Sequence, residues 1–369
     1  MFPVFEPVIE QDDIDSVVGA MRRGEISGSF GKAIPEFEEK FAAYCRCKFG
    51  IAVSSGTTAL HLAIASLHLN EGDEVLVSAS TNIASALAIY HNNLIPVPID
   101  SEPETWNLDI NLLEKLITPR TKAIIPVHLF GHPVDMDALN EIALKYKLYV
   151  IEDAAEAHGA EVRGRKVGRF GDMACFSFYA NKVITTGEGG MIVTNDESLA
   201  EELRLLRNLA FTSPRFQHQK AGYNFRMTGY QAAMGLSQFN KIDFFIENKR
   251  RIAKQYNQYL NSVPGICTPA EKEWAKNIYW MYAITIDEKK FGVSRNQLMV
   301  HLLKEGIDTR TFFCPMNIQP CFEHIPKTFE IKCPVAERIW HEGLYLPSSI
   351  NLSETDITYI CDKIKTVIS

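Results

Sequence analysis

The stretch FSFYANKVITTGEGG, residues 176–190, sets one lysine, Lys182, between an apolar run and a glycine-rich turn. Upstream, Met173, Ala174, Cys175, Phe176, Ser177 and Phe178 read as a buried strand. Downstream, Gly187, Gly189 and Gly190 allow a sharp turn before a further strand over residues 191–194. Lys182 is therefore expected just past a strand end. A lysine whose stem lies against protein loses its proton more easily than a solvated one, and becomes an amine nucleophile toward a carbonyl. Taken alone, the stretch is equally open to the plainer reading of a surface lysine in a loop.

Working outward, two further strand ends carry chemistry. Residues 148–153, LYVIED, read as a strand that finishes on Asp153, a carboxylate flanked by apolar residues and in need of a partner. That partner is either a structural one, such as a helix cap or an arginine elsewhere in the chain, or a bound pyridine ring that the carboxylate keeps protonated. Residues 49–53, FGIAV, read as a strand followed by Ser54, Ser55, Gly56, Thr57 and Thr58 opening a helix. First-turn amides have no internal partner, so with the hydroxyls of Thr57 or Thr58 they form a phosphate cradle, although many such turns hold nothing.

Strands and helices alternate from one end of this region to the other: strands at 74–77, 95–99 and 122–128, helices at 83–90, 110–117 and 135–146. Helix patterns also cover 12–23, capped by Asp12 or Asp13, and 34–44. This is an α/β pattern with a mainly parallel central sheet covered on both faces, in which ligands gather at the carboxyl ends of the strands. Beyond residue 228 a single helical region is expected over 230–260. It is followed by a smaller α+β unit with a strand at 279–286, a helix at 295–305 and a terminal helix bearing Ile357, Ile360, Cys361 and Ile364 on one face. The chain is thus expected to divide into a large domain, residues 1–240, and a small C-terminal domain, 241–369.

Length agrees, since 369 residues suggest roughly two domains of about 150 each. A net charge of −7 argues against nucleic-acid binding, which needs a broad basic face. No apolar stretch approaches the about 18 residues of a membrane span, and a cytoplasmic protein is expected. The eight cysteines are scattered, with Cys45 and Cys47 the only close pair, and are expected as reduced, mostly buried thiols. His128 and His132 straddle a strand end and are read as structural, with no metal site.

In combination, SSGTTALHLA (54–63), GDEV (72–75), IEDAAEAHGA (151–160), GDMACFSFYANKVITTGEGG (171–190) and GYNFRMT (222–228) resemble the DegT-type nucleotide-sugar aminotransferases, within the fold type I (aspartate aminotransferase-like) pyridoxal-phosphate enzymes. The resemblance covers nearly the whole chain. It implies pyridoxal 5'-phosphate, passing through pyridoxamine 5'-phosphate, with Lys182 as the covalent attachment point and Asp153 on the pyridine nitrogen. Gly56, Thr57 and Ser177 are implied on the phosphate, and Glu156 near the ring hydroxyl. Asn224 is implied to reach that phosphate from the other subunit of a homodimer with a shared active site. Asn82 stands where many relatives have an aromatic residue stacking on the ring.

The same resemblance implies L-glutamate as amino donor and a nucleotide-linked keto sugar as acceptor. YANKVITTGEGG, the strand of Trp280, Met281 and Tyr282, and GIDTRTFFCPMNIQP (306–320) are most similar to members that aminate C4 of GDP-4-keto-6-deoxymannose to give GDP-perosamine. Arg310 and Asn317 are the expected substrate contacts, though relatives often have His at the position of Asn317. A UDP- or dTDP-linked 4-keto-6-deoxy sugar is the alternative. Sugar dehydratases similar to this family replace the lysine by histidine, which Lys182 argues against. A noncatalytic cofactor-binding sensor is the remaining rival.

Overall fold

The computed structural model describes residues 1–367. Its centre is a seven-stranded sheet made of β1 (Phe49–Val53), β2 (Glu74–Ser78), β3 (Ile95–Ile99), β4 (Thr121–Ile125), β5 (Tyr149–Asp153), β6 (Met173–Ser177) and β7 (Gly190–Thr194), in the order β1-β7-β6-β5-β4-β2-β3. Every pairing is parallel except those of β7, which runs against both β1 and β6. The strands are apolar runs because helices cover both faces. Successive residues of one strand feed opposite layers: Phe176, Met191 and Val193 join one core, Cys175 and Ile192 the other.

Helices α1 (Gln11–Arg22), α2 (Ala33–Tyr44), α3 (Gly56–Ala65), α4 (Ala84–Tyr90), α5 (Met136–Tyr146) and α6 (Glu197–Arg207) follow the apolar periodicities of the sequence, with ends shifted by a residue or two. The cap of α1 is Glu10, which shares a capping box with Asp13. On α2, Phe41 packs edge-on to Phe176 and Phe178, with ring centroids 4.9 and 5.2 Å apart, so the strand carrying Ser177 is backed by aromatic rings.

The single helix expected over 230–260 is two, α7 (Gly229–Phe239) and α8 (Ile242–Leu260). Neither Gly nor Pro marks the break. Lys241 sits there, its Nζ held by Glu10, Asp12 and Asp13 of the α1 start, so a tertiary ion cluster sets the turn. After α8 comes a second, antiparallel sheet of β8 (Ile266–Cys267), β9 (Tyr282–Ile286), β10 (Arg310–Thr311) and β11 (Gly343–Leu346), in the order β8-β9-β11-β10. Helices α9 (Arg295–Lys304) and α10 (Glu354–Thr366) flank it, and α10 buries Ile357, Ile360, Cys361 and Ile364. The chain start reaches this half too: Phe2 bridges Ile307, and Ser348 N donates to Val4 O at 2.9 Å.

His128 is fully buried, with Nε2 3.1 Å from Glu152 Oε2 and Nδ1 accepting from Val134 N. All eight cysteines are free thiols, five of them buried. No described helix is long and apolar enough to cross a membrane.

Lys249 on α8 is buried and donates from Nζ to the carbonyl oxygens of Trp280 (2.9 Å) and Ser348 (2.5 Å). Among the described residues no carboxylate offsets its burial, which pushes the ammonium from the ordinary 10.5 down to about 7. Between those values the unfolded chain holds a proton that the native chain lacks, so stability rises with pH across that window. In urea unfolding followed from about pH 7.5 to 9.5, Lys249→Met is expected to flatten the rise by up to about 1.4 kcal/mol per pH unit. An unaltered slope would mean Lys249 stays charged in the native state.

Candidate active site

β6 ends at Ser177, and the chain folds back on itself before β7. Phe178 N donates to Gly189 O (2.8 Å), Thr186 N to Phe178 O (3.0 Å) and Lys182 N to Tyr179 O (2.9 Å). Gly187, at φ +78°, makes the reversal. The Lys182 side chain points inward and is only 10% exposed. Its Nζ lies 4.0 Å from Glu156 Oε1 and 3.9 Å from the Trp280 ring centroid. Burial lowers the proton affinity of this amine, against the pull of Glu156 and Asp153 in the other direction.

Asp153 closes β5 at 5% exposure. Its partner is no arginine: Ser85 Oγ donates to Oδ2 at 2.6 Å and Ala155 N to Oδ1 at 3.2 Å. Burial raises this carboxyl, and the Ser85 hydrogen bond is the largest influence against the rise. Glu156, a few residues on, accepts from Phe130 N at 2.9 Å through Oε2 and is pushed up to about 7 by burial, with Lys182 opposing. Two buried carboxylates and one buried amine thus share a small volume, each displaced from its ordinary titration.

Opposite them stands the start of α3. Ser55 caps it by accepting from Thr58 N, which leaves the amides of Gly56 and Thr57 with no intrahelical acceptor. Gly56 has to be glycine, because a Cβ there would come within 2.7 Å of Ser177 Cβ. The strand-end serine and the helix start meet at van der Waals distance and put two amides and two hydroxyls side by side.

A cavity of about 270 Å³ joins these parts. It is lined by Gly56, Thr57, Asn82, Asp153, Glu156, Ser177 and Lys182 of the residues expected from sequence, and also by Thr81, Tyr179, Trp280, Phe313 and Tyr345. A roomier cleft of about 430 Å³ near Ile64 and Leu206 has no such constellation, and its Lys220 is paired with Glu202. Asn82 is exposed and spends its Oδ1 on Ala84 N (3.0 Å). Asn224, Arg310 and Asn317 lie off the cavity wall. Asn224 is exposed on a segment that bridges Asn208. Arg310 is exposed, paired with Asp308, and in register with Tyr345. Asn317 is buried and donates to Glu337 Oε1 at 2.9 Å.

A lysine amine in the loop after β6, beside two buried carboxylates and sharing a cavity with the amides of a helix start, fits a pyridoxal-phosphate-dependent aminotransferase of fold type I. The chain belongs to the DegT/DnrJ/EryC1/StrS aminotransferase family, whose model matches residues 7–365. It is 44% identical to the GDP-perosamine synthase of Caulobacter vibrioides over 96% of this chain and 95% of that protein. To the GDP-perosamine synthase of Escherichia coli O157:H7 it is 40% identical, over 98% and 97%. Among solved structures it is similar to S. venezuelae DesV, with a TM-score of 0.90 and 35% identity over 97% of this chain and 94% of that one. It is also similar to Helicobacter pylori PseC, an aminotransferase involved in the biosynthesis of pseudoaminic acid, with a TM-score of 0.93 and 27% identity over 100% and 99%.

The residues fit the cofactor. One end of the cavity offers two helix-start amides and two hydroxyls able to donate to a phosphate dianion, and the other offers a carboxylate with one oxygen lightly engaged. Gly56→Ala is expected to push Ser177 out of the cradle and to weaken cofactor binding by about tenfold or more, read as a dissociation constant from tryptophan fluorescence. Unchanged affinity in a folded variant would place the phosphate elsewhere.

Proposed function

We propose that this chain transfers the amino group of L-glutamate to C4 of GDP-4-keto-6-deoxymannose, forming GDP-perosamine and 2-oxoglutarate. The observation that carries the chemistry is the Lys182 amine, buried between Glu156 and the Trp280 ring. The sugar rests on similarity to two GDP-perosamine synthases over nearly the full chain. The same reaction on a UDP- or dTDP-linked 4-keto-6-deoxy sugar is the second reading.

In this reading Gly56, Thr57 and Ser177 hold the phosphate of pyridoxal 5'-phosphate, Asp153 the ring nitrogen and Glu156 the region of the ring hydroxyl. Asn82 lies at the ring face in place of an aromatic side chain. Pyridoxal 5'-phosphate supplies a carbonyl that accepts the donor's amino group and a ring that takes up electrons as the group is passed on. Lys182 Nζ, whose proton affinity burial lowers, would attach the cofactor. Freed by the donor amine, Nζ would be the base for the α-carbon proton of glutamate. Trp280 covers one side of that amine and keeps water away from it. With the acceptor sugar, Lys182 returns a proton to the carbon that becomes C4 of the amino sugar.

Arg310, the register partner of the cavity-lining Tyr345, is the cation for the sugar diphosphate, with Asn317 bracing the segment through Glu337. A homodimer belongs to the proposal: exposed Asn224 is free to reach the phosphate of the partner subunit. The exposed Ile14, Val18, Met21, Ile26 and Phe30 supply an apolar face of the kind that subunits bury. A division of the chain at residue 240, between the end of α7 at Phe239 and the start of α8 at Ile242, and a cytoplasmic location also belong to the proposal.

The test mixes purified protein, pyridoxal 5'-phosphate and L-glutamate with GDP-4-keto-6-deoxymannose, or with its UDP- and dTDP-linked counterparts, and follows products by mass. GDP-perosamine with equimolar 2-oxoglutarate is the expected result. Turnover with a UDP or dTDP sugar alone would replace the substrate, and cofactor binding without turnover of glutamate would favour a sensor. Lys182→Ala is expected to lower turnover at least about 10³-fold while its circular dichroism stays that of the parent.

A further inference from the structure

The Asp153 carboxylate is gripped by a chain of hydroxyls that the reaction scheme above does not use. Ser85 Oγ lies 2.6 Å from Asp153 Oδ2, 2.8 Å from Thr81 Oγ1 and 3.3 Å from Asn82 O. A serine has one proton to give. The carboxylate is the strongest and nearest acceptor, so the Ser85 proton goes to Oδ2, and Thr81 becomes the donor to Ser85. The order is fixed: Thr81 to Ser85 to Asp153. Ser85 is fully buried in the first turn of α4, and Thr81 is 3% exposed on the cavity wall.

A carboxylate turns easily about its last torsion, where the energy wells are broad. The backbone of Asp153 is fixed by the sheet, through N to Pro126 O (2.9 Å) and O from His128 N (3.1 Å), but this leaves the carboxylate plane free. Ser85 on Oδ2 and Ala155 N on Oδ1 remove that freedom. We propose that Thr81 and Ser85 are positioning residues, a two-hydroxyl relay that locks the plane of the Asp153 carboxylate and holds it as the anion that receives the N–H of the cofactor's ring. The inference rests on the cofactor reading above and extends it to a pair of residues outside its contact set.

The other titratable groups facing Asp153 are Lys182 from the loop after β6, His128 after β4, Glu156 on its own segment and Cys175 on β6. None of them is altered by removing a hydroxyl from α4. Without Ser85 the burial that raises this carboxyl is less opposed, so it takes up a proton at higher pH. Loss of cofactor on acidification then begins at higher pH.

The experiment titrates the visible absorbance of the holoenzyme with pH, and measures cofactor dissociation, for the parent, Ser85→Ala, Thr81→Val and Ser85→Thr. Ser85→Ala is expected to move the acid limb up by about one pH unit and to weaken cofactor binding about tenfold. Thr81→Val should shift both in the same direction by less, and Ser85→Thr, which keeps the hydroxyl, should restore the parental curve. If the parent binds cofactor and Ser85→Ala and Thr81→Val both titrate as it does, the relay is mere packing and the proposal fails. If Ser85→Ala does not fold, Thr81→Val decides alone. A parent that binds no cofactor overturns the functional reading itself.

Discussion

Lys182 holds its amine where an ammonium ion is poorly solvated, with a tenth of the side chain exposed and an indole face against it. Desolvation favours the neutral amine, and Glu156 and Asp153 favour the cation. On the proposed function, the balance between them is what would make this lysine a nucleophile and a base, and several elements of the fold set it. Asp153 and Glu156 arrive on β5 and the turn after it, and Trp280 from just ahead of β9, with its Nε1 fixed to Asn181 O at 2.7 Å. The aromatic layer of α2 holds β6 rigid behind them.

The other end of the cavity follows from close approach. Gly56 lets the start of α3 press against Ser177, and Gly190 lets β7 pass beneath Ser55, where a Cβ would meet the Ser55 carbonyl oxygen at 2.4 Å. Two bare amides and two hydroxyls are therefore collected where the first turn of α3 meets the end of β6, on the same cavity as the carboxylates. An elongated ligand with a dianion at one end and a basic ring nitrogen at the other meets complementary charge along its length. Arg310, in register with Tyr345 and paired with Asp308, lies outside the cavity.

Much of this was legible in the residues. β1 and β3 begin and end where their apolar runs do, because strands buried on both faces leave no room for polar residues. Lys182, Asp153 and Ser177, which the structure sets on one cavity, stand out in the sequence because strand ends in such sheets are readable against the apolar runs before them. What was missed came from afar or from elsewhere in the fold. Ser85 lies 68 positions from Asp153, and Trp280 lies 99 from Asn181, so no local pattern announces either contact. Phe313 and Tyr345 reach the cavity from the antiparallel half. The break between α7 and α8 has no local breaker, since its cause is the charge cluster that Lys241 makes with the beginning of the chain. Asn224, Arg310 and Asn317 carry no signal of position in a single chain, and all three lie away from the cavity wall.

The account stands on Lys182 as the one covalent anchor. The most direct measurement is reduction of the holoenzyme with borohydride, followed by proteolysis and mass mapping of the peptide that carries the cofactor. The account predicts one modified peptide, with the added mass on Lys182 and none on the buried Lys249 nearby. Mass on another lysine, or a cofactor that washes free after reduction, would contradict it.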